Sequence, residues 1–159
     1  MNCACQVVNN SGLDIAALVL FHAADVPLPS GVWETVSNFT DLASGTTSAT
    51  VTASQTRFTD DWWAMGLQFS GDGTLYLLAN GLLPYAECET PGGGSVQIVI
   101  GPGFSGFYTC TINTFKHSDF THSDGDCSEQ VVTQDTLKAE DEAIQKLIEM
   151  IADAVEELL

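Results

Sequence analysis

Residues 135–159 are the only stretch of this sequence with a clear helical period, and they follow about 115 residues of a different character. Apolar side chains in this segment recur three or four residues apart, which places them on one face of a helix. They are Ile144, Leu147, Ile148, Ile151, Val155 and Leu158. Acidic residues occupy the opposite face. The sequence therefore predicts an amphipathic C-terminal helix, with Asp135 or Thr136 as its N-cap.

The rest of the chain alternates short apolar runs with turn signals, of which Ser70-Gly71-Asp72-Gly73 is the clearest. Such signals recur about every 8–12 residues, a spacing typical of a β-sandwich. The predicted strands are 4–9, 14–23, 32–39, 46–53, 62–69, 74–80, 95–100 and 107–115. The strands at 4–9 and 14–23 are predicted to form a pair joined by the turn at 10–12. We therefore predict an all-β fold, an antiparallel β-sandwich of about seven to eight strands with an appended C-terminal amphipathic α-helix.

Two of these strands carry a more specific pattern. The strand at 14–23 is apolar on both faces, so we expect it to be central and covered on both sides. In the strand at 62–69, Trp63 and every second residue after it form the core face, which points Trp62 the other way.

The distribution of charge divides the chain into three parts: a β-sandwich domain at 1–115, a polar acidic tether at 116–134 and the helix at 135–159. In total, 21 acidic residues stand against four basic ones, for a net charge of −17. This charge argues against nucleic acid and anionic lipid as partners, since both require a cationic surface. A cationic partner, a divalent metal and plain solubility stay open. The longest apolar run, 15–24, is about half as long as a membrane helix, so we predict no transmembrane segment.

The five cysteines do not define a metal site. Cys3 and Cys5 are too close together for the usual zinc spacing, and no second pair completes such a site. A disulfide among Cys88, Cys110 and Cys127 is possible, but the spacing does not choose it. The N-terminus lacks the features of a signal peptide, so the chain as written is expected in the cytoplasm, or outside the cell if it is a mature form.

Catalytic motifs are missing from the sequence. It holds no nucleophile elbow, no phosphate-binding glycine loop and no cysteine beside a histidine in a known setting. We therefore predict a protein that is not an enzyme and uses no cofactor. The candidate metal ligands are Asp60, Asp61, His117, His122, Asp124 and Asp126. The alternatives are a turn capped by the first two and a solvated tether that holds the other four.

Three aromatic residues are candidates for binding a ligand: Trp33, Trp62 and Tyr85. Aromatic faces stack on sugar rings, which suggests carbohydrate, although packing in the core is the other use of such residues.

Several short motifs within residues 5–127 together resemble a known family. They are VVNNSG at 7–12, the apolar strand that ends near His22, the Thr-rich strand at 46–53, DDWW at 60–63, GDGTLY at 71–76, and Cys88 followed by VQIVI. The family is a small all-β one, named for its up-regulation in long-lived insulin-receptor mutants of a nematode and found also in fungi and bacteria. The resemblance implies a compact β-sandwich similar to actinoporins and aegerolysins. It implies no established activity, and it does not extend to the helix.

The helix needs a surface on which to bury its apolar stripe, because alone in water it would be marginal. That surface is the chain's own sandwich, a second copy in a short coiled coil, a membrane surface or another protein. Our first hypothesis is a non-enzymatic binding or assembly protein that forms a homo-oligomer through this helix. The alternative is a membrane-active, pore-forming-like or carbohydrate-binding β-sandwich that uses exposed aromatic loops.

Overall fold

A computed structural model describes residues 2–24, 33–54, 61–103, 107–137 and 141–159 of the chain. These residues form ten strands, one 3₁₀ turn and one α-helix. The strands are β1 (Asn2–Asn9), β2 (Ile15–Ala24), β3 (Glu34–Leu42), β4 (Val51–Ser54), β5 (Asp61–Phe69), β6 (Tyr76–Ala79), β7 (Ala86–Glu87), β8 (Ser95–Pro102), β9 (Tyr108–Phe115) and β10 (Ser123–Thr133). The 3₁₀ turn is Gln134–Thr136 and the helix, α1, is Glu142–Glu157. The protein is therefore mostly β with one C-terminal helix, as the sequence predicts.

The strands form one continuous sheet instead of the two sheets of the predicted sandwich. Its order is β3-β2-β5-β6-β10-β9-β8-β1-β4, with β7 paired to β5 at the side. The sheet curls until its two end strands meet, where the backbone N–H of Ser54 in β4 donates to Glu34 Oε1 in β3 at 2.9 Å. The result is a nearly closed, barrel-like sheet of ten strands, so the expected sandwich of seven to eight strands is corrected.

β1 is the strand that makes this closure possible. It pairs with β4 in the antiparallel sense and with β8 in the parallel sense, and it does not pair with β2. The turn at 10–12 is therefore a corner of the sheet, not the end of a hairpin. Buried Asn9 holds this corner, since its side-chain amide donates to the carbonyls of Leu13 at 2.8 Å and Leu42 at 2.9 Å.

Residues 123–133, which the sequence predicts as part of a tether, form β10 instead. This strand lies between β9 and β6, so it is a central member of the sheet. The sequence of this strand shows no clear alternation of polar and apolar residues. Its exposed positions are polar, and its inward positions include Gly125 and Glu129 besides Cys127 and Val131. Pairing on both sides supplies the stability that its own side chains do not.

The sheet separates two apolar cores, one on each face. Inside the curl lie Leu18, Leu20, Trp63, Met65, Ile98 and Ile112. On the outer face, under the helix, lie Ala17, Val19, Phe21, Ala64, Leu77 and Ile151. The predictions for β2 and β5 are confirmed: β2 is covered on both faces, and Trp62 and Trp63 point to opposite cores.

Helix α1 docks on the outer face of β2 and β5. Its N-cap is Asp141, whose carboxylate accepts from the N–H groups of Ala143 and Ile144, so the expected caps Asp135 and Thr136 are corrected. Those two residues belong to the preceding 3₁₀ turn, which lies before buried Leu137. The cap shortens the predicted helix to 16 residues.

Candidate functional site

The apolar stripe of the helix is occupied by the chain's own sheet. Leu147, Ile148, Ile151 and Val155 are buried, while Ile144 and Leu158 are partly buried at the two ends of the stripe. At Gly66 of β5 the helix comes so close that an added Cβ would overlap Ile151 Cγ2 and lie 3.2 Å from Val155 Cγ2. Self-association through this stripe would therefore require the helix to leave the sheet.

A groove runs between the helix and the sheet. It is an open depression of about 500 Å³, lined on the sheet side by Phe21, Trp33 and Thr35. The helix side is formed by Lys146, Glu149, Met150, Asp153, Ala154 and Glu157. The sheet wall thus carries two aromatic rings and one hydroxyl group, whereas the helix wall carries three carboxylates, one ammonium group and the apolar side chains of Met150 and Ala154. A second depression of about 270 Å³ adjoins it and shares Asp153 and Glu157.

The three aromatic residues predicted as ligand candidates come together beside this groove. The ring centroids of Trp33 and Tyr85 lie 6.2 Å apart, and those of Trp62 and Tyr85 lie 5.6 Å apart. Tyr85 is 8% exposed, and burial raises the pKa of its hydroxyl. The indole N–H of Trp33 is buried without a hydrogen-bond partner among the described residues. Of the three, only Trp33 lines the groove itself.

The carboxylates of the groove form no ion pair in the described part of the chain, although Lys146 lines the same wall three residues before Glu149. Lys146 pairs with Glu142 one turn earlier, at 3.7 Å between Nζ and Oε1, and both side chains are exposed. The other described ion pairs involve His22 and Lys116, so they leave Glu149, Asp153 and Glu157 unpaired. The groove therefore has a negative wall.

A second polar cluster lies inside the fold around His22. Its Nε2 is 2.8 Å from Asp61 Oδ1 and its Nδ1 is 3.2 Å from Glu34 Oε1. Asp61 also accepts from the backbone N–H of Thr90 at 2.7 Å. Asp61, proposed from the sequence as a metal ligand or a turn cap, is thus a buried acceptor for an imidazole. Asp60 lies outside the described residues.

The thiol nearest to this cluster does not have the properties of a nucleophile. Burial, together with the charges of Asp61 and Glu34, raises the pKa of Cys3 to about 12. Burial also raises the pKa of Cys5, and that of Cys110 to about 12. A reactive cysteine is accessible and has a lowered pKa, so these three buried thiols are structural.

The candidate ligands of the 116–126 turn do not converge on one point. The rings of His117 and His122 lie 5.2 Å apart, but Asp124 turns to Lys116, with 3.6 Å between Oδ1 and Nζ, and Asp126 is exposed. Within the described ranges, no set of three or more His, Cys, Asp and Glu side chains is arranged to hold a metal ion.

The structure selects one disulfide from those the sequence leaves open. Cys88, next to β7, bonds to Cys127 of β10, and their Cα atoms are 6.0 Å apart. Cys110 of β9 stays free and buried. The disulfide therefore joins β10, which the sequence does not predict as a strand, to the segment after β7 that lies beside the His22 cluster.

Of the nine residues that line the groove, the sequence singles out only Trp33 as a ligand candidate. Phe21 and Thr35 carry no local sign of a site, because their role depends on which element covers them. The sequence places Glu149, Asp153 and Glu157 on the acidic face of the helix, opposite the apolar stripe. The sequence signal that could have marked these three residues is the run of acidic residues without basic partners near the C-terminus of the helix. The helix dipole disfavours negative charge there.

No known family matches the chain when its sequence is compared with family descriptions, and no curated protein matches it. The resemblance to the nematode-named family therefore stays a prediction. Within the described residues, no helix has both the length and the apolar character needed to cross a membrane.

Proposed function

We propose that the protein is a non-enzymatic binding protein whose ligand lies in the groove between α1 and strands β2 and β3. The observation that carries this proposal is the groove itself, a depression of about 500 Å³ with Trp33 and Phe21 opposite the helix. Ligand sites are typically concavities of about 300–1,000 Å³ with apolar walls and a few polar groups. In this proposal the helix is the interaction element, because it docks on the sheet and supplies six of the nine residues that line the groove.

Nuclear magnetic resonance of the three indole N–H groups tests this proposal. A library of small neutral and charged fragments is added to the 15N-labelled full chain. We expect binding fragments to shift the Trp33 indole signal and to leave that of Trp63 unchanged, since Trp63 is fully buried in the inner core.

Two variants on one strand sharpen this test. Thr35→Phe places a ring in the groove, whereas Thr40→Phe adds the same ring at another exposed position of β3. The first substitution should abolish the Trp33 shifts and the second should preserve them. A library that never moves the Trp33 signal, or that moves it equally in both variants, would rule out the groove as the binding site.

Carbohydrate binding is the second candidate, and the clustering of Trp33, Trp62 and Tyr85 supports it. Trp33 and Trp62 are both partly exposed and both contact buried Tyr85, and aromatic ring faces are surfaces on which sugar rings stack. A glycan array probed with the full chain and with Trp62→Ala would test it. Signals that persist in the variant would argue against the aromatic cluster as a sugar platform.

A further inference from the structure

We propose that the ligand of the groove is an aliphatic polyamine, a chain of methylenes that carries two or more ammonium groups. This inference rests on the proposed function and adds the chemical class of the ligand. It follows from the two walls of the groove taken together, because neither wall alone identifies a ligand.

The helix wall presents regularly spaced negative charge. Glu149, Asp153 and Glu157 all line the groove and follow one another at intervals of four residues. At about 1.5 Å of rise per residue, successive carboxylates are about 6 Å apart along the helix axis. Because they are exposed and lack described cationic partners, each pair of neighbours repels, and a bound cation would relieve that repulsion.

The apolar part of the groove lining argues against a simple inorganic cation as the ligand. Trp33 on the sheet side, together with Met150 and Ala154 from the helix, offers partly exposed apolar surface beside the carboxylates, whereas Phe21 is 3% exposed and adds little. A hydrated metal ion gains nothing from such a surface, and carboxylates spaced along a helix do not converge on one ion. Methylene groups do gain from it, and an ammonium group is attracted to the face of an indole ring.

The spacing of charges favours a particular polyamine. An extended chain advances about 1.2 Å per bond, so two amines separated by four methylenes, or five bonds, are about 6 Å apart. This distance matches one helical turn between carboxylates. A longer amine can continue toward the second depression, where Glu156 joins Asp153 and Glu157.

Titration of the full chain with spermine and 1,4-diaminobutane, followed by the Trp33 indole signal, tests the inference. We expect spermine to bind more tightly than the diamine, and both to bind more tightly than 1,2-diaminoethane, whose amines are too close together. Calcium chloride and magnesium chloride, added at the same total concentration of positive charge as the amines, should not displace the amines from the groove. High salt should weaken binding without abolishing it, since the apolar contacts are insensitive to screening.

Two charge-matched triple variants separate this site from general attraction to an acidic protein. The groove variant combines Glu149→Gln, Asp153→Asn and Glu157→Gln, which also removes the repulsion and so keeps the helix. The control combines Asp119→Asn in the turn before β10 with Asp124→Asn and Asp126→Asn near the start of that strand, away from the helix. The groove variant should bind spermine at least about tenfold more weakly, while the control changes affinity less than about twofold.

Each contrary result points to a distinct failure. Equal weakening in both triple variants, or equal competition by calcium, would mean only diffuse charge attraction and would overturn the polyamine proposal. If neutral fragments move the Trp33 signal and amines do not, the ligand class is wrong and the binding groove stands. If neither fragments nor amines move it, both proposals fall.

Discussion

At the scale of single residues, the most constrained polar group is the imidazole of His22, which is 1% exposed. A buried polar group costs free energy unless it is hydrogen-bonded, and each ring nitrogen here faces a carboxylate oxygen. The contacts tie β2 to β3 through Glu34 and to β5 through Asp61. Glu34 in turn accepts from Ser54, so the cluster also holds the two end strands together.

Asp61→Asn should lower the free energy of unfolding by about 1–3 kcal/mol. The carboxylate accepts from Thr90 N–H with one oxygen and contacts His22 with the other, whereas an amide offers one oxygen and turns an NH₂ group toward the second contact. Urea unfolding measures the loss. Asp126→Asn is the control because its carboxylate is exposed. Equal stability of the two variants would mean that the His22 cluster does not stabilise the fold.

Buried thiols make the stability of the protein dependent on alkaline pH. The pKa of Cys3 and of Cys110 is about 12 in the folded chain, while an unfolded cysteine ionises near about 8.5. The pKa of Cys5 is raised as well. As the pH rises above about 8.5, the unfolded state releases thiol protons that the folded state retains. The contribution of these groups is therefore complete below about pH 8.5 and declines above it.

The free energy of unfolding should fall steadily between about pH 8.5 and 10. In a variant with Cys3→Ala and Cys110→Ala only one of the three free thiols remains, so the thiol part of the slope should drop to about one third. Urea titrations at several pH values measure it, with mass mapping to confirm that the Cys88–Cys127 bridge is intact. A slope unchanged by the two substitutions would assign the pH dependence to other groups.

At the scale of elements, the docking of α1 depends on a trough of small residues. Ala17 and Ala64 lie in the outer core, and Gly66 lies directly under Ile151. Small side chains at these positions let the helix backbone approach the sheet. The stripe then buries four large aliphatic side chains, each worth about 1.5–3 kcal/mol, which outweighs the few tenths lost for each repelling acidic pair.

Gly66→Ala should therefore destabilise the protein by about 1–3 kcal/mol through overpacking. The added methyl would overlap Ile151 Cγ2, so the cost depends on the β-branched shape of that side chain. Ile151→Leu removes Cγ2 at nearly constant volume, and in this background Gly66→Ala should cost less. A double-mutant cycle by thermal unfolding measures the difference. Additive costs would mean that the helix does not rest on Gly66.

At the scale of the whole molecule, the helix is the cover of an apolar face. Without it, Val19 and Leu77 of the outer core would be open to water. An uncovered apolar surface of this kind promotes association between copies. The docked helix and a self-associating helix are thus alternative uses of the same stripe.

A chain that ends after Leu137 should be less stable than the full chain and should self-associate. Light scattering measures the mass of both forms, and urea unfolding measures their stability. The full chain with Glu156→Gln is the control, because it removes one exposed charge from the helix and keeps the stripe. Two monomers of equal stability would mean that the helix is only lightly docked. A larger oligomer for the full chain than for the truncated one would instead support assembly through the helix.

Much of the local structure can be predicted from the sequence. The turn at 70–73, the alternation around Trp63 and the apolar stripe of α1 each lie within a few neighbouring residues, so their periods are visible in the sequence. β10 was missed because its exposed positions are polar and Glu129 interrupts its inward face. Trp33, Trp62 and Tyr85 were identified as candidates, but neither their convergence nor the carboxylates opposite Trp33 could be read from the chain.

The sequence by itself therefore determined an all-β chain with one amphipathic helix, because hydrophobic period and turn chemistry are properties of short segments. The tertiary structure decided the rest. It joined β1 to β8 and closed the sheet near Glu34, it chose Cys127 as the partner of Cys88, and it placed the helix over Gly66. Each of these depends on contacts between residues far apart in the chain, which no local pattern specifies. The groove and its negative wall exist only because those contacts bring the helix to the outer face of β2 and β5, beside β3.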